Sequence, residues 1–219
     1  MQILLSLYYF FRSVLLRGLL NTIRLLKAEV TFEKQFGIRT SALKRSASKE
    51  FFHYQGASYL VLFKIFKELE TETKAYNFVD IGCGKGRVVF VAEYCGYTRL
   101  RGIELDEELF LCAKENVALW TPKHKESQIE FVQVNALDAE YRNEPTVYFL
   151  FNPFCETVLR GVLNRVCQSS SRGLVFVYMN PLYPKPFYEK KMEVFAEIRT
   201  KWYREAIIFH RIAAPNSQD

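Results

Sequence analysis

Residues 78–87 read FVDIGCGKGR, and this stretch decides how the rest of the chain is parsed. An apolar run with one acid, Asp80, meets Gly82, Gly84 and Gly86, and a second apolar stretch follows at 87–94. That pattern predicts a buried strand turning sharply into a helix. Glycine lacks a Cβ, so the backbone bends tightly there and lies close to a ligand. A helix beginning after such a turn points N–H groups and positive dipole potential at an anionic group. A tight turn with no ligand satisfies the same glycine pattern, so the flanking sequence has to decide.

The next apolar run, 99–104, ends in Glu104 within RGIELD at 101–106. An acid at that strand end is placed to accept ribose hydroxyls; the bland alternative is a solvated loop acid. Asp106, Glu107 and Glu108 suit the N-terminus of the helix that follows. Strand-like runs at 76–81, 99–104, 129–134, 146–151 and 174–179 alternate with helical stretches at 87–94, 107–119 and 155–167. Such alternation implies a mostly parallel sheet with helices on both faces. Runs at 194–199 and 203–212 have no long helix between them and predict an antiparallel edge hairpin. A further helix is expected at 57–69. The expected fold is α/β: a doubly wound, mostly parallel seven-stranded sheet with an antiparallel C-terminal hairpin, plus an N-terminal helical extension.

Segments 78–87 and 101–106 together resemble the first two signature segments of the class I, seven-stranded S-adenosylmethionine-dependent methyltransferases. The likeness covers roughly residues 56–212. It implies S-adenosylmethionine as cofactor, with Asp80 on its carboxylate side and Gly82, Gly84 and Gly86 forming the loop against it. It places Glu104 on the ribose and Leu105 against the adenine. The stretch HYQGAS at 53–58 matches the segment that covers the methionine end in the family, which adds Tyr54 and Gln55. In FVQVNALD at 131–138, Asn135 stands where family members usually carry Asp. Its side-chain carbonyl can still accept from the adenine amino group, with Ala136 beside it and Asp138 as a substitute acceptor. A capping Asn is the alternative reading there.

The stretch VYFLFNPF at 147–154 is a buried strand ending in Asn-Pro-Phe. Ligands of such sheets bind outside the carboxyl ends of the strands. It resembles the [DN]-P-P-[YF] signature of amino-group methyltransferases, without the second proline, and the Asn- and Phe-containing segment of the non-SET protein lysine methyltransferases. The resemblance implies that Asn152 and the Pro153 carbonyl orient an acceptor nitrogen while Phe154 packs on it. The alternative is a strand-end turn with an N-capping Asn. A second strand-end Asn-Pro lies in MNPLYPKP at 179–186, where the prolines shape a pocket rim or simply stop the strand. The expected activity is methyl transfer to a nucleophile, an amine nitrogen, with a protein side chain favoured over nucleic acid or a small molecule. Two alternatives stand beside it: an aminopropyl transferase of the same fold, and a non-catalytic S-adenosylmethionine-binding scaffold at a membrane. The Asn152 segment lacks acids to grip a polycationic acceptor, and the intact glycine loop with Glu104 opposes a scaffold.

The chain has 219 residues, 49% of them hydrophobic, enough for one α/β domain with an extension. The expected division is 1–55, an N-terminal amphipathic helix and polar connector, and 56–219, the cofactor-binding domain. A net charge of +6 suits an acidic partner or a merely soluble basic protein. Five cysteines without a C-x-x-C pair and three scattered histidines predict no metal site. They read as reduced core fillers in a cytoplasmic setting. Residues 1–26 are rich in Leu, Ile, Tyr and Phe but are interrupted by Arg12, Arg17 and Arg24. No charge-free run there reaches the ~18 residues of a spanning helix. At helical spacing Ser6, Ser13, Arg17, Asn21 and Arg24 share one narrow face. Three readings stand: a helix lying on a membrane surface through residues 1–27, a helix packed on the domain or a partner, and a signal segment.

Overall fold

The computed structural model describes residues 2–41, 43–44, 54–69, 73–170, 173–200 and 202–211. Helices α1 (Gln2–Arg17) and α2 (Leu19–Phe36) are separated at Gly18. Strands β1 (Leu43–Lys44) and β2 (Tyr54–Gln55) form a small antiparallel pair, and α3 (Tyr59–Leu69) follows. Then come β3 (Asn77–Ile81), α4 (Arg87–Tyr94), β4 (Arg99–Glu104), α5 (Glu107–Leu119), β5 (Gln128–Gln133) and β6 (Thr146–Phe151). The chain closes with α6 (Glu156–Ser169), β7 (Leu174–Met179), α7 (Lys185–Glu189), β8 (Glu193–Thr200) and β9 (Tyr203–Arg211).

Seven strands form one sheet in the order β5-β4-β3-β6-β7-β9-β8. The pairs β5–β4–β3–β6–β7 are parallel, and β9 is antiparallel to both β7 and β8. The expected doubly wound sheet with its C-terminal hairpin is therefore observed. The chain winds outward from β3 to β5, then returns to β6 on the other side of β3. Between β3 and β6 lies the switch point, where ligands of open α/β sheets bind at the carboxyl ends.

Parallel strands covered on both faces read as continuous apolar runs, and TVYFLF of β6 is buried at all but its last residue. One face packs Phe66, Phe78, Tyr97 and Phe149 beneath α3 and α4, and the other packs Tyr148, Phe176, Phe187 and Phe209 beneath α6 and α7. The rings of Phe187 and Phe209 stack at 4.5 Å. Glu93, fully buried at the end of α4, accepts hydrogen bonds from Trp120 Nε1, the N–H groups of Lys123 and His124, and Ser127 Oγ. That ties down the turn after α5.

Two stretches differ from the sequence expectation. The polar connector expected after the N-terminal helix is itself helical as far as Phe36, because Phe32 and Phe36 have ring partners. Phe36 lies 5.9 Å from Tyr59, 5.2 Å from Tyr94 and 5.3 Å from Trp120. Residues 42 and 45–53 of that connector lie outside the described residues. The proline-rich segment after β7 holds the short helix α7, with Pro186 in its first turn, where a missing N–H costs nothing. Of the cysteines, only Cys83 is buried; Cys95, Cys112, Cys155 and Cys167 are half-buried, and all five are free.

Candidate active site

The glycine loop closes over the carboxyl ends of β3 and β4. Gly82 and Cys83 both donate N–H bonds to Ile103 O of β4, and Gly86 N–H bonds Cys83 O. Gly82 has φ 78° and Gly86 φ 85°, a region open to glycine and strained for other residues. A Cβ at Gly82 would stand 2.8 Å from Pro153 Cβ, and one at Gly86 would stand 2.6 Å from the Phe131 ring. The loop therefore touches the Asn-Pro-Phe turn directly, at the switch point. Its N–H groups at Gly82, Cys83, Gly84 and Gly86 are committed to protein acceptors, so this part of the loop offers closeness rather than free donors.

Two carboxylates sit beneath it. Glu104 accepts from Gly84 N–H at 2.8 Å through Oε2, and from the Leu105 and Asp106 N–H groups at 2.8 Å through Oε1. A carboxylate has about four acceptor sites, so one is left for a ribose hydroxyl. Burial raises the Glu104 pKa, opposed by those three backbone donors. Asp80 is 2% exposed, and its Oδ2 has no hydrogen-bond partner. Burial, and then the charge of Glu104, push its carboxyl well above the ordinary range. The same burial, with both acids nearby, raises the Cys83 thiol. Neither acid forms an ion pair among the described residues.

Leu105, Asn135 and Ala136 follow the carboxyl ends of β4 and β5. Leu105 is exposed beside Glu104, as an adenine contact requires. Val134 N–H bonds Glu104 O, which brings the start of the Asn135 turn alongside. Asn135 Oδ1 already accepts from Leu137 N–H at 2.9 Å, so one of its lone pairs closes a turn. Ala136 is buried. Gln55 is exposed on β2, and the Tyr54 side chain lies outside the described residues. The segment that follows does reach the loop: Ala57 O accepts from Arg87 Nη1 at 2.7 Å, and Ser58 Oγ is buried without a partner.

The Asn152 turn is pinned from a neighbouring strand. Asn152 is 4% exposed with φ 40°, and its Oδ1 accepts from the Tyr178 hydroxyl of β7 at 2.7 Å. The N-cap of α6 is Cys155, without a side-chain bond, so Asn152 does not cap that helix. Phe154 is 5% exposed and belongs to the core beneath α6. The second Asn-Pro repeats the device: Asn180 has φ 51°, and its Oδ1 accepts from the Tyr203 hydroxyl of β9. Burial pushes the Tyr178 hydroxyl up to about 12.

Arg87, the last residue of the decisive stretch, went without a role in the sequence reading. It is a buried hub. Its guanidinium donates to Glu29, Glu33, Thr40, Ser41 and Ala57 O, and lies 4.4 Å from the centre of the Tyr59 ring. It fastens α2 to the end of the glycine loop. Burial raises Glu29 even beside Arg87; Glu33, though burial opposes it, is held below its ordinary value by Thr40 and Arg87.

With its strand order, terminal hairpin and glycine loop at the switch point, the chain has the fold of the seven-stranded S-adenosylmethionine-dependent methyltransferases. A ribosomal protein L11 methylase from Lactobacillus delbrueckii subsp. bulgaricus matches with a TM-score of 0.51 at 13% identity, over 68% of this chain and 75% of that one. The magnesium protoporphyrin IX methyltransferase of Synechocystis PCC 6803, solved with bound S-adenosylmethionine, matches with 0.52 at 12%, over 69% and 77%. An RNA methyltransferase from Salinibacter ruber, in complex with S-adenosylhomocysteine, matches with 0.51 at 18%, over 75% and 99%. No family model and no curated protein matches the sequence.

Proposed function

We propose that this chain binds S-adenosylmethionine at the carboxyl ends of β3–β6 and transfers its methyl group to an amine nitrogen held at the Asn152 turn. The observation that carries the cofactor assignment is the pair of buried acids, Asp80 and Glu104, without a cation, beside a backbone cradle that no Cβ would fit. Asp80 Oδ2 needs a positive donor, and the ammonium of the cofactor's methionine end is one. Glu104 takes the ribose, Leu105 covers the adenine, and Asn135 and Ala136 bound its far side. Tyr54 and Gln55 approach the methionine end.

S-adenosylmethionine, when bound, supplies a methyl group already activated on a sulfonium. The protein's part is then alignment and exclusion of water. Asn152 Oδ1 has one lone pair on Tyr178 and a second for an acceptor N–H, while the Pro153 carbonyl offers another acceptor. Phe154 supports this turn from the core. The neighbouring structures carry names with protein, porphyrin and RNA acceptors. The nitrogen reading therefore rests on the Asn-Pro-Phe segment, with a protein side chain as the first acceptor to test. Residues 1–27 are read as a peripheral membrane contact, supported by the apolar side chains exposed there.

Calorimetry with S-adenosylhomocysteine tests the cofactor, with micromolar affinity expected, about −8 kcal/mol. No binding to the folded protein would overturn the assignment. Tritiated-methyl transfer into fractionated lysate, sorted into protein, nucleic acid, lipid and small molecules, tests the acceptor. Label confined to nucleic acid carbon would reject the nitrogen reading.

A further inference from the structure

Helices α1 and α2 present apolar side chains outward, although Phe32 and Phe36 of α2 pack on the domain. Of their polar side chains, Ser13, Arg17 and Thr22 turn inward. Arg17 grips the buried Glu205 of β9 through Nε at 2.5 Å and Nη2 at 2.6 Å, and its guanidinium lies 4.7 Å from the centre of the Tyr203 ring. Ser13 Oγ meets Thr22 Oγ1 at 3.0 Å, and Asn21 bonds Arg17 O. Other apolar side chains face out: Leu7, Tyr8, Phe11 and Leu15 on α1, then Leu19, Ile23, Leu26 and Val30 at helical spacing on α2. Leu15 is 81% and Leu20 74% exposed. A water-facing helix has the opposite arrangement.

Charge is sorted the same way. The acids of α2, Glu29 and Glu33, turn inward to Arg87 and Thr40. Arg24, Lys27 and Lys34 are exposed along the apolar stripe. Among the described residues the exposed charges of α2 are bases, and an apolar face with that rim fits lipid with anionic headgroups. No helix among the described residues is long and apolar enough to cross a membrane.

We propose that the outward face of α1 and α2 docks on an anionic bilayer and sets the carboxyl rim of the sheet beside the lipid surface. This deepens, and rests on, the peripheral-contact reading of the N-terminal segment. The orientation follows from what the kink between the helices touches. Arg17 and Arg12 lie over Tyr203, whose hydroxyl pins Asn180 at the end of β7, the strand whose Tyr178 pins Asn152. A docked α1–α2 thus presents the candidate acceptor site at headgroup level.

The test uses the full chain and two vesicle types, phosphatidylcholine alone and phosphatidylcholine with phosphatidylglycerol, read by sedimentation. Deleting residues 1–27 would strip the buried Glu205 of Arg17, so point substitutions at exposed positions replace it. Binding is expected only to the anionic vesicles. Arg24→Gln with Lys27→Gln should weaken it roughly thirtyfold, at about fivefold per neutralised base. Leu15→Glu with Leu20→Glu should abolish it, with thermal melting unchanged because both side chains are exposed. Equal binding to both vesicle types would overturn the anionic docking while leaving the peripheral contact standing. No vesicle binding overturns both, and a concentration-dependent dimer dissolved by the leucine substitutions would assign the face to a second copy.

Discussion

Replacing Asp80 by Asn separates a cofactor carboxylate from a structural one, because the two roles forecast opposite signs. Asp80 is buried, its Oδ2 is unpartnered, and burial and Glu104 both raise its pKa. A raised acid binds its proton more tightly in the folded than in the unfolded protein. Between the ordinary carboxylate pKa and the raised one, the native state therefore holds more protons, and unfolding free energy falls as pH rises. Below that window both states are protonated and Asp80 contributes nothing to the slope. Asn keeps the shape and cannot ionise. An unsatisfied buried polar group costs about 1–3 kcal/mol, and a charged one more. Asp80→Asn should thus gain on the order of 1 kcal/mol at pH 8 and little at pH 4, with a flatter pH profile in urea unfolding.

Binding should move the other way. Loss of a charge-assisted bond to the cofactor's ammonium removes about 1.5–3 kcal/mol, roughly tenfold to a hundredfold in affinity for S-adenosylhomocysteine. A cation arriving at Asp80 lowers its raised pKa again, so below that raised pKa binding to the wild type releases a proton, which calorimetry in buffers of different ionisation enthalpy detects and which the variant lacks. An Asn variant that is less stable at pH 8, or that binds as tightly as wild type with the same proton release, would refute the reasoning.

Glu104→Gln should weaken cofactor binding by about 1.5–3 kcal/mol; unchanged calorimetric affinity in the folded variant would remove it from the ribose. Arg87→Met strands the half-buried Glu29 and should cost about 1.5–3 kcal/mol in denaturant unfolding, and a loss under 1 kcal/mol would mean that α2 is not fastened through this residue. Asn152→Gly keeps the left-handed backbone and deletes the carbonyl, so cofactor affinity should hold while turnover per cofactor site falls on the order of a hundredfold. Asn180→Gly makes the same deletion at the next strand end and should leave turnover near wild type; equal effects at both sites would end the case for Asn152.

The sheet was legible because its strands carry apolar runs. The run at 146–151 is apolar from Val147 except for the Tyr148 hydroxyl, since helices cover both faces of β6, while Gln128–Gln133, at the sheet edge, is polar at 128, 130 and 133. The glycine loop was legible for a similar reason: a close approach of backbone to Pro153 and Phe131 leaves room for no other residue. Arg87 was not, since its carboxylate partners stand 58 and 54 positions earlier in a segment that composition marks as separate. The N-terminal polar stripe was visible at helical spacing, but periodicity does not say which face meets the protein. Here the answer depends on Glu205, 188 positions from Arg17.

Asn152 shows how a backbone demand and a side-chain contact converge on one residue. Its position has φ 40°, which favours Asn or Gly at a strand end whatever the chemistry. Glycine would meet that requirement alone, so the choice of Asn points to its side chain, and the side chain has a structural partner in Tyr178. Asn180 meets the same backbone demand and has the same kind of tyrosine partner. Conformation and pinning therefore account for both residues equally, and neither distinguishes them. What does is the neighbour: the residue after Asn152 is Pro153, which lies against Gly82 at the point where the sheet switches direction. The Asn152 turn is built against the loop that lies over the buried acids, and that contact, rather than the Asn-Pro pair itself, is the reason to propose a part in catalysis for it.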